Sequence, residues 1–422
     1  MNTGLINRLI STRKPTLCKN GRGMKGASNL VIRPPRGDFL SLCPVRIAVN
    51  MRFVLPGKLE GIGWYSYETA QRLALNHPEH EFLFLFDRPF DPALIQTLNR
   101  QGARVSGHVV SPPARHPFLW YLWFEWALPA ALRRLKADAF FSPDGYCSLR
   151  SPVPTLMVVH DLAFEHYGNH VPPLVLRFYR HFSPRYARRA EALATVSQAT
   201  RDDLARRYNL NPARISVVYN GANTLYSPLP PEAAAAARAH YAASAPFFIY
   251  VGSVHPRKNL VRLLQAFDQF AGQDATHALV VAGRMAWQTG SVKSVWNAMK
   301  HRHRVHWVGH LEVEQLRLAL GGATALLYPS LFEGFGIPIL EAFYAEVPVL
   351  TSNCSSMPEV AGKAALLVDP TRVDSIAEGM LRLACEPELR AALVAQGRQE
   401  RTRFSWDKTA ELTWQALVKI LP

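Results

Sequence analysis

The sequence predicts an α/β protein of two successive doubly wound domains, closed by a C-terminal helix. Three observations carry this. Short β-branched and aromatic runs alternate with helical stretches from Val45 onward. The alternation breaks once, at a Pro- and Ala-rich stretch near 225–244, and then resumes. The 422 residues suit two or three domains, and an apolar fraction of 48% is ample for two cores.

Each element follows in order. Residues 1–44 read as a basic, disordered extension, because the first strand-like run starts only at Val45. Residues 45–224 read as the first domain, with strands expected at 45–50, 81–86, 138–142, 154–159, 191–196 and 215–219. Residues 225–244 read as a linker with one helix. Residues 245–403 read as the second domain, with strands at 247–251, 278–282, 304–308, 324–328, 347–351 and 364–368. In 404–422 the spacing of Trp406, Ala410, Trp414, Leu417 and Leu421 predicts a helix. Open parallel sheets bind ligands outside their strand carboxyl ends, so a shared cleft is expected between the domains.

Composition narrows the function classes. The formal charge is +16, and residues 1–44 hold eight Lys and Arg against the single acid Asp38. A basic body suits nucleotide phosphates, anionic headgroups or nucleic acid, and it equally describes a merely basic surface. The five cysteines are scattered with no C-x-x-C pair, which fits a reducing compartment and gives no zinc or disulfide signature. The apolar run FLWYLWFEWALPAAL (118–132) is too short to span a bilayer and contains Glu125 and Pro129. The N-terminus has no apolar core with a small-residue cleavage site, so no secretory signal is read there.

Four stretches sit where chemistry is expected. PSLFEGFG follows the strand TALLY, and Pro338 suits the first turn of the next helix. Gly334 and Gly336 let backbone approach a ligand, and the helix N-terminus favours phosphate. Glu333 and Glu341 flank this turn, where carboxylates accept from sugar hydroxyls; two ordinary acids, one in a loop and one near a helix start, is the plain reading. The helix dipole is expected to keep Glu341 ionised. Arg257 and Lys258 follow the strand FFIYV, placed for a diphosphate or else a solvated surface pair. His160 and Asp161 follow a first-domain strand. Gly61 and Gly63 lie in GKLEGIGWYS, which lacks the third glycine of a dinucleotide fingerprint. No D-x-D pair is present, so no metal site is expected; Arg257, Lys258 and a helix end would neutralise a diphosphate instead.

Together these stretches resemble the retaining glycosyltransferases of family 4, which have the GT-B fold of two Rossmann-like domains. The resemblance covers about residue 45 to 422. It rests on the E-x7-E of SLFEGFGIPILEAFYAEVPVL (330–350), on GSVHPRKN (252–259) and VHDLAF (159–164), and on TVSQATRDDL (195–204) and VVYNGAN (217–223). It implies that Arg257 and Lys258 hold the donor diphosphate and Glu341 the ribose. Glu333 would hold the transferred sugar, with Gly334, Phe335 and Gly336 near sugar and phosphate. His160 would face the reacting sugar beside Asp161, and Gly61 and Gly63 would lie near phosphate and acceptor. Ser197 reads as a helix cap rather than a ligand contact. The final helix would cross back to the first domain.

The implied activity is transfer of a hexose, mannose by preference, from a GDP- or UDP-linked donor to a glycan or lipid-linked saccharide. It would retain configuration, need neither metal nor cofactor, and serve polysaccharide or lipopolysaccharide assembly. A cytoplasmic location, with peripheral association at the inner membrane, is the matching expectation. The aromatics and cations of 115–138 and the arginines 177–189 read either as a membrane-surface element or as helix core with a solvated face. The alternatives are a non-catalytic sugar-nucleotide-binding or scaffold protein on the same fold, and a nucleic-acid binder. Only charge favours the latter, and no nucleic-acid motif supports it, so no nucleic-acid partner is expected.

Overall fold

The computed structural model describes residues 44–422, except 56–58, 60, 224 and 285–289. The expected extension therefore lies, save Pro44, outside the described residues. Two parallel sheets organise the chain. The first has seven strands: β1 Arg46–Asn50, β2 Glu81–Phe86, β3 Val105–Val109, β4 Ala139–Ser142, β5 Thr155–Val159, β6 Ala192–Thr195 and β7 Ile215–Val217. Its order is β3-β2-β1-β4-β5-β6-β7. The second has six: β8 Phe247–Val251, β9 Ala278–Ala282, β10 Val305–Gly309, β11 Ala325–Tyr328, β12 Val349–Ser352 and β13 Ala365–Val368, in the order β10-β9-β8-β11-β12-β13. Central strands such as FFIYV and ALVVA are buried along their whole length. Unbroken apolar runs of this kind are what a sheet covered on both faces demands.

β3 was not expected. Its sequence VSGHV holds a glycine and lies at the sheet edge, half-buried through its middle. Gly107 is needed there because a Cβ would collide with the Phe90 ring. A strand whose centre serves another side chain's packing carries little strand signal of its own.

Both sheets reverse winding direction at one point, between β1 and β4 and between β8 and β11. Adjacent loops diverge there and leave a crevice at the strand carboxyl ends. The helices used below are α1 Gly61–Asn76, α2 Pro117–Leu122, α3 Pro173–Arg189, α4 Gln198–Tyr208, α5 Ile337–Ala345, α6 Met357–Ala361 and α7 Trp406–Val418. Ser405 caps α7, accepting from Lys408 N at 3.1 Å. α7 packs on the first sheet's side: Thr409 Oγ1 donates to Tyr219 O at 2.5 Å and Trp414 stacks on His77 at 3.6 Å. Helix Pro231–Ala242, in the stretch between the sheets, packs on the second: Tyr241 is buried and its hydroxyl donates to Gln315 O at 3.2 Å.

Candidate active site

The second crevice is built by two stitched loops. After β8 the chain makes a short 3-10 turn, Pro256–Lys258, capped by His255, whose Nδ1 accepts from Arg257 N at 3.3 Å. Asn259 then adopts φ 62°. Its buried amide donates to Pro329 O at 2.9 Å and Pro370 O at 2.6 Å. Leu331 N donates back to Arg257 O at 2.8 Å. The loop after β11 is held from the other side by hydroxyls: Ser352 to Ser330 O at 2.6 Å, Ser355 to Glu333 O at 2.7 Å and Ser356 to Phe335 O at 2.9 Å. Rigid loops of this kind hold a side chain in one place.

These loops bring Arg257, Lys258 and Glu333 together. Arg257 Nη1 lies 2.8 Å from Glu333 Oε2, and Lys258 Nζ lies 2.6 Å from Oε1. Arg257 Nη1 also donates to Phe332 O at 3.0 Å, and Lys258 Nζ to the Tyr328 hydroxyl at 2.6 Å. Burial opposes ionisation of Glu333, but Lys258 and Arg257 outweigh it and hold its carboxyl at about 2. Burial, against the pull of Glu333, sets the Lys258 ammonium below the usual lysine range. Neither cation is a solvated surface pair: their side chains are 23% and 12% exposed. Guanidinium offers five donors and ammonium three, so each keeps free N–H groups for an incoming anion.

Glu341 differs from Glu333. Gly336 reaches φ 102° at the start of α5, a left-handed conformation that favours glycine, and Pro338 follows in the first turn. Glu341 sits one turn inside. Burial pushes its carboxyl up to about 7, against a hydrogen bond from Tyr226. The expectation that the helix dipole keeps it ionised is corrected here, because that effect fades within the first turn while burial persists.

The first sheet supplies the opposite wall. His160 follows β5, and its Nε2 donates to Pro143 O at 2.7 Å. A carbonyl only accepts, so the neutral ring carries its proton on Nε2 and presents Nδ1 as an acceptor. Burial lowers the His160 pKa, and the Tyr65 ring meets it edge-on at 4.9 Å. Asp161 caps the next turn, accepting from Ala163 N at 2.9 Å. Gly61 opens α1 at the surface, and Gly63 is buried against the Phe53 carbonyl.

The two walls touch. Gly334 has room for no side chain, because a Cβ would collide with the His160 carbonyl oxygen. Ser197 caps α4, accepting from Thr200 N at 3.0 Å, and its hydroxyl donates to Gly334 O at 2.7 Å. The Glu359 carboxylate of α6 accepts from Gln198 N at 2.7 Å and Ala199 N at 3.0 Å, the first amides of α4. The structure thus gathers His160, Gly334, Glu333, Arg257 and Lys258 at one place. Glu341 is hydrogen-bonded to Tyr226.

Comparison with known proteins matches both halves of the chain. Residues 59–226 match the family described as Glycosyltransferase Family 4, and residues 237–400 match Glycosyl transferases group 1. The chain belongs to glycosyltransferase family 4. It is 28% identical over 368 residues to O-antigen chain mannosyltransferase B of Escherichia coli, covering 85% of this chain and 96% of that one. WaaG, a glycosyltransferase involved in lipopolysaccharide biosynthesis, superposes with a TM-score of 0.67 at 16% identity, covering 88% and 99% of the two chains. The Anabaena Alr3699/HepE structure in complex with UDP and glucose gives 0.66 at 15% identity, covering 89% and 100%. These likenesses show the GT-B fold.

Sequence reasoning missed two features of this glycosyltransferase. A buried ionic network fills the first crevice, between β1 and β4. Arg52 Nε lies 2.8 Å from Asp144 Oδ2, which also accepts from Asn50 Nδ2 at 2.9 Å. The Arg52 guanidinium lies over the Tyr146 ring at 4.2 Å. The signal was present, since both residues follow strands that flank the reversal, but they are 92 positions apart. The second feature is a cavity of about 730 Å³ lined in part by Glu165, His166, Asn169, His170 and Arg180. It adjoins the cation cluster: the His166 ring is 4.5 Å from Phe332 and the His170 ring 5.6 Å from His255. Among the described residues no three His, Cys, Asp or Glu side chains form a metal-ligand set, and no helix is long and apolar enough to cross a membrane.

Proposed function

We propose that this glycosyltransferase moves a hexose, mannose by preference, from a GDP- or UDP-linked donor to a glycan or lipid-linked saccharide. The acceptor belongs to polysaccharide or lipopolysaccharide assembly. One observation carries the reading: two partly buried cations converge on a buried carboxylate at the strand ends, next to the turn that packs on the His160 backbone. Similarity to mannosyltransferase B of E. coli supports the sugar. The complex of Alr3699/HepE with UDP and glucose supports a nucleotide-sugar donor.

In this reading the donor diphosphate lies on the free N–H groups of Arg257 and Lys258 and on the backbone at Gly334, Phe335 and Gly336. Negative charge builds on the diphosphate as the anomeric C–O bond breaks. Fixed cations in a dry crevice stabilise that charge more than the ground state. Glu333 orients sugar hydroxyls, Glu341 accepts from the ribose, and His160 faces the reacting sugar. Asp161 supports the loop that carries His160, while Gly61 and Gly63 border phosphate and acceptor. The acceptor hydroxyl attacks from the leaving-group face. Its proton passes to the departing phosphate oxygen, so configuration is retained and no metal or cofactor takes part. The two glutamates are hydroxyl clamps, unlike a glycosidase acid and nucleophile. The enzyme works on the cytoplasmic face of the inner membrane as a peripheral protein.

A thermal-shift panel of GDP- and UDP-sugars tests the donor. A bound donor raises the melting temperature by mass action. No shift with any nucleotide sugar overturns the proposal.

A further inference from the structure

The ionic network of the first crevice has no part in the proposed transfer chemistry, yet it ends beside His160. Its hub is Asp144, just past the end of β4. Asp144 Oδ2 accepts from Arg52 Nε at 2.8 Å and Asn50 Nδ2 at 2.9 Å. Oδ1 accepts from the Ser142 hydroxyl at 3.1 Å and Tyr146 N at 3.3 Å. Donors on both oxygens hold the carboxylate in one orientation. Asn50 Oδ1 accepts from Arg52 N at 3.3 Å, which ties the Arg52 backbone to the same network. The Arg52 and Asp144 side chains are 3% and 1% exposed. The Tyr146 ring that covers Arg52 is fixed from behind. Its hydroxyl donates to Tyr179 of α3 at 3.2 Å, and Trp120 of α2 stacks on Tyr179 at 5.9 Å.

Two routes lead from this hub to His160. The Pro143 carbonyl that accepts from His160 Nε2 shares one planar peptide unit with Asp144 N. Pinning the Asp144 side chain therefore fixes that plane, and with it the direction of the carbonyl. The second route runs through the loop after β1. Arg52 precedes Phe53, whose carbonyl lies against Gly63 of α1, and Tyr65 of α1 meets the His160 ring. Stability does not account for the network. The desolvation cost of a buried ion pair can exceed its attraction, and an apolar pair of similar volume is often as stable. Here Arg52 Nη2 is also buried with no hydrogen-bond partner.

We propose that Arg52 and Asp144 are positioning residues for His160. By fixing the Pro143 carbonyl they hold the neutral imidazole in its Nε2–H tautomer and keep Nδ1 as an acceptor. The tautomer of a neutral histidine is set by the hydrogen bond that its other nitrogen makes. With the carbonyl loose, the proton also visits Nδ1, and a donor replaces the acceptor. The use of Nδ1 rests on the placement of His160 at the reacting sugar proposed above, where it accepts from a sugar hydroxyl.

Two variants of the full chain, with NMR of isotope-labelled histidine ring nitrogens, test this. Arg52→Met/Asp144→Asn removes both charges at similar volume and is expected to melt close to the parent. Asn50→Ala takes one donor from Asp144 and leaves the ion pair, so it decides the matter should the double variant not fold. In the parent, the His160 nitrogens, assigned by comparison with His160→Gln, are expected as a protonated Nε2 and a bare Nδ1. In each variant they are expected to move toward an average of the two tautomers. For the double variant, kcat of sugar transfer should fall at least ~10-fold at unchanged donor KM, because Arg257 and Lys258 are untouched. A merely structural role would move the melting temperature and leave the tautomer fixed. A parent His160 in the other tautomer, folded variants that keep the parent's tautomer, or a double variant with the parent's kcat overturns the proposal. The spectra need no substrate, so failure of the donor reading, seen as no thermal shift with any nucleotide sugar, stays separate.

Discussion

The Ser197 hydroxyl donates to the Gly334 carbonyl oxygen at 2.7 Å, joining a helix cap of the first sheet's half to the glycine turn that precedes α5 in the second. The same residue that caps α4 therefore helps set how closely the two crevice walls approach. The glycine it meets is packed against the His160 carbonyl.

Gly334→Ala tests that contact. The added methyl must push the His160 backbone away, and displacements near 1 Å in an active site cost about 10²-fold in rate. The expected result is a loss of that order in kcat/KM, together with a larger radius of gyration by small-angle scattering. Unchanged kinetics would show that the walls need not touch.

Glu359→Gln probes the second link. Its carboxylate meets two amides at the start of α4, where negative charge is favoured. Loss of the charge is expected to lower unfolding free energy by about 1–2 kcal/mol. Denaturant titration reads this directly. Faster hydrogen exchange at Gln198 and Ala199 should accompany it.

Lys258→Ala and Arg257→Ala should each reduce sugar transfer at least ~100-fold, the scale of a lost transition-state charge contact. Each leaves Glu333 one cationic partner, so folding should survive. Glu333→Gln instead leaves two cations close together and is expected to destabilise by about 3 kcal/mol. Initial rates and melting curves on the three variants separate these effects.

Glu341 gives a pH dependence with a definite sign. Its folded carboxyl, at about 7, lies above the ordinary carboxylate value. Below that ordinary value it is protonated in both states and contributes nothing. As pH rises toward 7 the unfolded chain releases the proton first, so the free enzyme loses stability across that window. Glu341→Gln should flatten the loss. Clamping a ribose is best served by the ionised form, so nucleotide-sugar affinity should fall up to ~10-fold from pH 8 to pH 6. Calorimetric titration at the two pH values checks it, and a flat profile would remove Glu341 from the donor site.

Much of the fold was legible because parallel strands are buried on both faces and announce themselves as short apolar runs. FFIYV, ALVVA and EFLFLF are local signals that need no partner. β3 escaped because Gly107 answers to Phe90, a residue of another loop. Within the site, motif order brought out Glu333, Arg257, Lys258 and His160. Their pairing could not be read, since Arg257 and Glu333 are 76 positions apart. The Arg52–Asp144 network was hidden for the same reason.

Residue order alone settled every described strand except β3, the C-terminal helix, the place of Pro338 in the first turn of α5, and the residue types available at each strand end. Those depend on neighbours within a few positions, through backbone sterics, capping and side-chain periodicity. Tertiary packing settled the charge states and the distances. It clamped Glu333 between two cations, drove the Glu341 carboxyl up to about 7 by burial, and set Gly334 on the His160 backbone. Desolvation and Coulomb energy depend on what lies within a few ångströms in space, and chain order does not carry that distance.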